Sequence, residues 1–324
     1  MAELRWHPLI KDWIMIASNR QGRPQMPKDF CPFCPSFGKV PDYEVMEYDN
    51  DFPALSQNPP EPDDVATDFF KVRPSYGKCE VILYSPGHTV TLPELSDSHM
   101  RKLVDLWCER FEVMRADEKI KYVFPFENRG EVVGVTMPHP HGQIYGYSFL
   151  PKKLELETNS AKEYYEDKHA CLFCDMLKNE LKEDKRIIFK NEYFTVFLPF
   201  FTEYPYGVYI FPNRHVPYMT DFTEAEKDAF GITVRDTAGM LDSLFGYKFP
   251  YMMCMHNAPV NMGDYSKDYH FHIEFFPPMR SAEKQKFNAS SETGAWASCN
   301  PTCPEETAEE LRAAYKRFQE KSRK

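Results

Sequence analysis

The stretch Met137-Pro-His-Pro-His-Gly-Gln-Ile-Tyr-Gly-Tyr147 returns in altered form as Asp268-Tyr-His-Phe-His-Ile-Glu-Phe-Phe276. In both, two histidines flank one residue and an amide or carboxylate follows two positions on. The second histidine pair lies 131 residues after the first. Other landmarks recur in the same order. Cys31-Pro-Phe-Cys34 is matched 140 residues later by Cys171-Leu-Phe-Cys174, and Ser85-Pro-Gly-His88 by Pro212-Asn-Arg-His215, with the histidines 127 apart. Landmarks repeated in one order at a nearly constant offset indicate an internal duplication.

Working outward, the pattern reads as an α+β fold of two tandem units, residues 1–155 and 156–279, followed by a tail and helix over 280–324. Alternating or apolar runs predict strands at Glu80–Ser85, Tyr122–Asn128, Tyr206–Phe211 and Tyr251–Met255. Helical spacing over Leu95–Val113 follows a Ser-Asp-Ser start, and Thr223-Glu-Ala-Glu226 opens a second helix as a capping box. In the tail, Thr302-x-x-Glu305 is read as the start of an amphipathic helix over Pro304–Gln319.

The chain has 324 residues, 42 % hydrophobic and 27 % charged, which excludes a disordered or collagenous polypeptide. A net charge of −10 argues against non-specific binding to nucleic acid or to an anionic membrane. There is no apolar run of membrane-spanning length and no apolar leader after Met1. Nine cysteines, an odd number, fit a reduced cytoplasmic protein whose Cys-x2-Cys pairs serve metal or redox chemistry.

Cys31, Cys34, His88 and His139 offer two thiolates and two imidazoles, a closed tetrahedral set for zinc. Cys171, Cys174, His215 and His270 offer the same set again. A redox pair needs no accompanying histidines, so the repetition favours metal. The expectation is two zinc ions per chain.

If residues 139–143 are a strand, His139, His141 and Gln143 share a face. Pro138 and Pro140 cannot donate ladder hydrogen bonds and suggest an edge, and Gly142 suggests close approach of a ligand to the backbone. With His139 on a metal, His141 follows about 7 Å along the strand. On chemistry alone His141 is a nucleophile for phosphorus, a further metal ligand, or a satisfied surface histidine.

The His-Pro-His-Gly-Gln segment, with Phe126-Glu-Asn128 before it and Gly134-Val-Thr-Met-Pro138 leading in, resembles the active-site segment of galactose-1-phosphate uridylyltransferases, two-unit members of the histidine-triad superfamily. The resemblance runs nearly end to end. It takes in Asn50-Asp51-Phe52, Thr91-Leu-Pro-Glu-Leu95, His256-Asn-Ala-Pro259, Lys286-Phe287, Glu292-Thr-Gly294 and Asn300-Pro-Thr302. It implies tandem histidine-triad-type units of antiparallel sheet with flanking helices, the second one degenerate. It implies ping-pong exchange of UMP between UDP-glucose and galactose 1-phosphate through a uridylyl-histidine at His141, with Gln143 donating to a phosphoryl oxygen. By the same resemblance Asn50 and Asp51 contact uridine, and Asn128 and Thr136 the phosphates. Arg20 and Arg23 lie in a phosphate-binding segment, and Lys286, Phe287 and Glu292 bind hexose across a homodimer interface.

Two departures matter. Enterobacterial members lack the second Cys-x2-Cys and hold iron in the second half through one Glu and several His. Glu163, His256 and His272 are the candidates for such an iron site here. Glu274 replaces Gln143 in the second copy, and its charge would repel a phosphoryl group, so His272 is read as silent. The competing readings are an adenylyl-transferring relative, such as an ADP-glucose or dinucleoside-polyphosphate phosphorylase, and a non-catalytic zinc-stabilised nucleotide sensor.

Overall fold

A computed structural model describes residues 2–22 and 30–322. The first half comprises β1 (Ala2–His7), β2 (Asp12–Ala17), β3 (Met46–Asp49), β4 (Val72–Pro74), β5 (Gly77–Leu83), α1 (Asp97–Arg115), β6 (Tyr122–Arg129) and β7 (His141–Tyr147). The second half adds α2 (Lys152–Lys168), α3 (Leu172–Glu183), β8 (Ile187–Lys190), β9 (Phe194–Phe197), β10 (Tyr209–Pro212), α4 (Glu224–Phe245), β11 (Tyr251–His256) and β12 (His272–Phe276). The tail carries α5 (Ser290–Ala295) and α6 (Pro304–Ser322).

One antiparallel sheet of nine strands runs through both halves in the order β3-β5-β7-β6-β11-β12-β10-β9-β8. Its middle is palindromic. β5-β7-β6 of the first copy meets β11-β12-β10 of the second across the β6–β11 ladder, where Met252 opposes Asn128. The duplication is therefore a pair of like sheets joined edge to edge, which removes one exposed edge from each. A separate three-stranded sheet, β2-β1-β4, flanks the first half.

The period-two alternation of strands divides the sheet into a packed face and a chemical face. Ile144 of β7, Val123 of β6, Met253 of β11 and Phe275 of β12 enter one core with Leu103, Trp107 and Phe111 of α1 and Phe230, Val234 and Leu241 of α4. Helix α1 starts at the Ser96 cap, whose side chain accepts from the His99 amide. α4 starts at the reciprocal Thr223–Glu226 capping box. These caps satisfy amides that have no partner within the helix. Their apolar stripes then bury against the sheet, at roughly 1.5–3 kcal/mol for each large side chain.

Four local expectations are corrected. Strand β7 is interior, paired with β5 through Ile82–Gly142 and with β6 through Phe126–Gln143. Pro138 and Pro140 precede its first paired residue, so their missing N–H groups cost the ladder nothing. His139 accordingly lies in the turn before the strand, and only His141 and Gln143 share a strand face. Gly142 makes room for a protein side chain rather than a ligand, because any Cβ there would collide with the Tyr84 hydroxyl. At α6 the Thr302 hydroxyl donates to Asn300 Oδ1 at 2.8 Å, and Glu305 turns to Arg186, so no Thr302–Glu305 box forms. Among the described residues, no helix is long and apolar enough to cross a membrane.

Candidate active site and metal centres

Cys31, Cys34, His88 and His139 converge with their ligand atoms within 4.8 Å of one another, as do Cys171, Cys174, His215 and His270. In the first set the sulfur-to-Nδ1 distances are 3.6 Å for Cys31–His139, 3.5 Å for Cys34–His139 and 3.3 Å for Cys34–His88. In the second, Cys174 lies 3.3 Å from both His215 and His270. A tetrahedron with metal–sulfur and metal–nitrogen bonds of about 2.3 and 2.0–2.1 Å has S···N edges of about 3.5 Å. Both sets therefore fit a four-coordinate ion.

The surroundings of the imidazoles support the same fit. Nε2 of His139 donates to the Ser85 carbonyl at 2.8 Å, that of His215 to Ser266 at 2.9 Å and that of His270 to Pro212 at 3.1 Å. Each bond fixes the tautomer with Nδ1 carrying the lone pair toward the sulfurs. Burial pushes the His139 pKa down to about 4, keeping it neutral and able to ligate. The two knuckles are built differently. Cys34 precedes a single 3-10 turn, Pro35–Phe37, whereas Cys171 is the N-cap of α3 and Cys174 lies in its first turn, where the helix dipole favours thiolate.

Strand β7 starts where the first set ends. His141 projects from the chemical face, and its Nδ1 donates to the His139 carbonyl at 2.8 Å, which leaves the lone pair on Nε2. The Phe33 ring packs 5.4 Å from the imidazole. His141 borders two clefts. One is lined by Asn50, Asp51, Thr136 and Gln143, and the other by Thr89, Asn128, Arg129 and Lys248. The first carries an acceptor carboxylate suited to hydroxyl groups. The second carries two cations, Arg129 being paired with Asp242 at 2.8 Å.

The remaining residues singled out in the sequence are distributed as follows. Asn50 Oδ1 accepts from the Phe52 amide at 2.9 Å, so it forms a turn as well as lining the cleft. Asp51 accepts from Tyr48 at 3.0 Å and from Lys39 at 3.3 Å. Arg20 donates to the Phe52 carbonyl and the Tyr145 hydroxyl, and Arg23 lies outside the described residues. Lys286 is buried over the Tyr204 ring, Phe287 is exposed, and Glu292 accepts from the Ala289 amide at the start of α5. None of these three lines either cleft beside His141.

The acidic partner of His256 and His272 is Glu157, not Glu163. Glu157 lies 3.1 Å from His256 Nδ1 and 3.7 Å from His272 Nε2, with Glu274 completing a four-residue group that could hold a cation. Six residues along α2 rotate a side chain by about 240°, which turns Glu163 to solvent. Lys153 pairs with Glu274 at 2.7 Å. His272 repeats the His141 geometry, with Nδ1 3.0 Å from the His270 carbonyl, but it is 1 % exposed under Phe173, Tyr209 and Phe211. Sequence reasoning also missed Tyr43, whose hydroxyl lies 3.2 Å from His139 Nε2, because no spacing ties it to the knuckle.

Residues 2–151 match the family described as galactose-1-phosphate uridyl transferase, N-terminal domain, and residues 157–321 match its C-terminal domain. The chain is 39 % identical over 314 residues to the galactose-1-phosphate uridylyltransferase of Thermotoga maritima, covering 96 % of this chain and 98 % of that one. It is 32 % identical to the rat enzyme of that name, over 95 % of this chain and 86 % of that one. A solved uridylyltransferase structure superposes with a TM-score of 0.89 at 31 % identity, covering 97 % of this chain and 99 % of that one. An ADP-glucose phosphorylase from Arabidopsis thaliana, at TM-score 0.74 and 21 % identity over 96 % of this chain and 99 % of that one, shares the fold. The two matched domains and the near full-length identity together establish that this chain belongs to the galactose-1-phosphate uridylyltransferase family.

Proposed function

We propose that the protein exchanges UMP between UDP-glucose and galactose 1-phosphate through a uridylyl group carried on His141. The observation that carries this reading is the position of His141 between two clefts, with Nδ1 engaged and Nε2 holding the lone pair. A double displacement needs such a junction, one side for the group that stays and one for the groups that come and go.

In the first half-reaction Nε2 forms a bond to the α-phosphorus, the bond from that phosphorus to the bridging oxygen breaks, and glucose 1-phosphate leaves with the electron pair. The leaving group is already an anion, so no strong general acid is required. The ring becomes cationic, and the His139 carbonyl accepting from Nδ1 stabilises that charge. Gln143 donates to a non-bridging oxygen in a site fixed before the reaction. In the second half-reaction a phosphate oxygen of galactose 1-phosphate attacks the same phosphorus, again with no proton to remove, and the P–N bond returns its electrons to Nε2. Asp51 accepts from the ribose, Asn50 and Thr136 line the nucleotide side, and Asn128 faces the sugar phosphate. Arg20, held to the turn after Asn50 and Asp51, and Arg23, by its place in the family's phosphate-binding segment, serve the nucleotide phosphates.

The two Cys/His sets hold one zinc each, and the closed first set anchors the turn from which β7 departs. Iron at the second half is the alternative, with Glu157, His256, His272 and Glu274 as the group that would take it. The units are 1–155, bearing the nucleophile, and 156–279, with the boundary inside the start of α2, and His272 of the second is silent because it is buried. The 280–324 tail lends Lys286, Phe287 and Glu292 to a second copy in a homodimer.

The test is isotope exchange. Labelled glucose 1-phosphate should enter UDP-glucose without galactose 1-phosphate present. Exchange confined to ADP-glucose would instead support an adenylyl-transferring activity, and no exchange with either nucleotide sugar would support a non-catalytic sensor.

A further inference from the structure

Gln143 is held by a chain of hydrogen bonds that begins 123 residues earlier. Its Oε1 accepts from the Tyr145 hydroxyl at 3.2 Å, and the Tyr145 oxygen lies 3.3 Å from Arg20 Nη1. The same Nη1 donates to the Phe52 carbonyl at 3.1 Å, and neighbouring Asn19 donates to the Pro53 carbonyl at 3.1 Å. These bonds pin the Arg20 segment to the turn that follows Asn50 and Asp51.

The donor at its start gives the chain a direction. A guanidinium group only donates, so the Tyr145 oxygen accepts from Arg20. The Tyr145 hydroxyl, which also has the Cys79 thiol beside it, donates to Gln143 Oε1, where an NH2 group could not accept. The amide oxygen is thereby held on the Tyr145 side, and the NH2 is the end left for the cleft that Gln143 lines with His141. A flipped amide would offer an oxygen lone pair to a phosphoryl oxygen, a repulsive contact where a donor is needed.

We infer that Arg20 and Tyr145 are positioning residues that set which end of the Gln143 amide meets the phosphoryl group. This rests on the reaction proposed above. Arg20 then acts on the substrate through Tyr145 and Gln143 as well as through its own charge. The relay also ties amide orientation to the turn bearing Asn50 and Asp51, so a nucleotide seated there meets an amide already aligned.

The experiment measures the single-turnover rate of UMP transfer to His141 from UDP-glucose. Tyr145→Phe should slow it about tenfold, the value of one hydrogen bond. In a Gln143→Ala background the same substitution should cost nothing further. A purely structural role for Tyr145 would slow transfer equally in both backgrounds, and that result overturns the inference, as does an unslowed single variant. The Gln143 side-chain carbonyl carbon resonance, read without substrate, should shift in both Tyr145→Phe and Arg20→Ala. An unchanged resonance also overturns the inference. A wild-type protein that takes up no UMP while the resonance does shift separates failure of the reaction from failure of the relay. The hydrogen-bond chain then stands, but its role in catalysis does not.

Discussion

Nδ1 of His141 lies 2.8 Å from the carbonyl oxygen of His139, whose own Nδ1 faces the sulfurs of Cys31 and Cys34. One residue thus belongs to the first Cys/His set through its side chain and orients the neighbouring imidazole through its backbone. His270 and His272 repeat the arrangement, but beneath a covering of aromatic rings.

The two metal sets should therefore differ in consequence. Elemental analysis is expected to find two zinc ions per chain. Cys31→Ser should lose one ion and slow UMP transfer at least about tenfold, because the turn that carries His139 loses its anchor. Cys171→Ser should lose the other ion and lower thermal stability, with little change in transfer by the chains that remain folded. Equal effects of the two substitutions on the rate would contradict this division.

Gly142→Ala tests the packing beneath the nucleophile. The added methyl meets the Tyr84 hydroxyl, which is fully buried and donates to Glu127 at 3.4 Å. Overpacking of this kind costs about 1–3 kcal/mol. Urea denaturation should show a lower midpoint with an unchanged slope, and an unchanged midpoint would mean that Tyr84 moves aside freely.

Burial raises the Glu127 pKa to about 7, and the Tyr84 and Tyr251 hydroxyls that donate to it offset only part of that rise. A carboxyl group with a raised folded-state pKa favours folding when protonated. Its contribution is fully present below the unfolded value of 4.5 and is lost as pH climbs through about 7. That window is worth up to about 3 kcal/mol. Glu127→Gln keeps an acceptor for both tyrosines and removes the titration. The variant should therefore lose less stability than the wild type between pH 5 and pH 8. Parallel stability curves would contradict the assignment.

What the sequence revealed and what it concealed divide along physical lines. The convergence of Cys31 and Cys34 with His88 and His139 was legible because chelation imposes short, repeated spacings. His141 is singled out by one five-residue segment, His-Pro-His-Gly-Gln. The interior place of β7 was not, since its neighbours come from residues 77–83 and 122–129 and the flanking prolines lie just outside the ladder. Glu157 was missed because it lies on an amphipathic helix with several glutamates, where only helical phase distinguishes the one facing His256. Tyr84 and Tyr145 looked like strand aromatics. Their roles depend on an absent Cβ at Gly142 and on hydrogen-bond direction at Gln143.

The tail tests assembly. Lys286, Phe287 and Glu292 lie away from both clefts of their own chain, as residues lent to a second copy would. Glu292→Ala should weaken use of galactose 1-phosphate roughly ten- to a hundredfold while UMP transfer to His141 stays detectable. Mixed dimers of a His141→Ala chain with a tail-truncated chain should recover part of the activity. A monomeric wild type, or verified hybrids without recovery, would leave the tail as a structural arm.

The central claim is that His141 carries the group being transferred. Wild-type protein incubated with UDP-glucose alone, then examined by intact mass and peptide mapping, should gain one uridylyl group on His141. The bond should be acid-labile and should clear on adding galactose 1-phosphate, and His141→Ala should take up none. A wild type without the adduct, or a group mapped to His272 or another residue, would contradict the account.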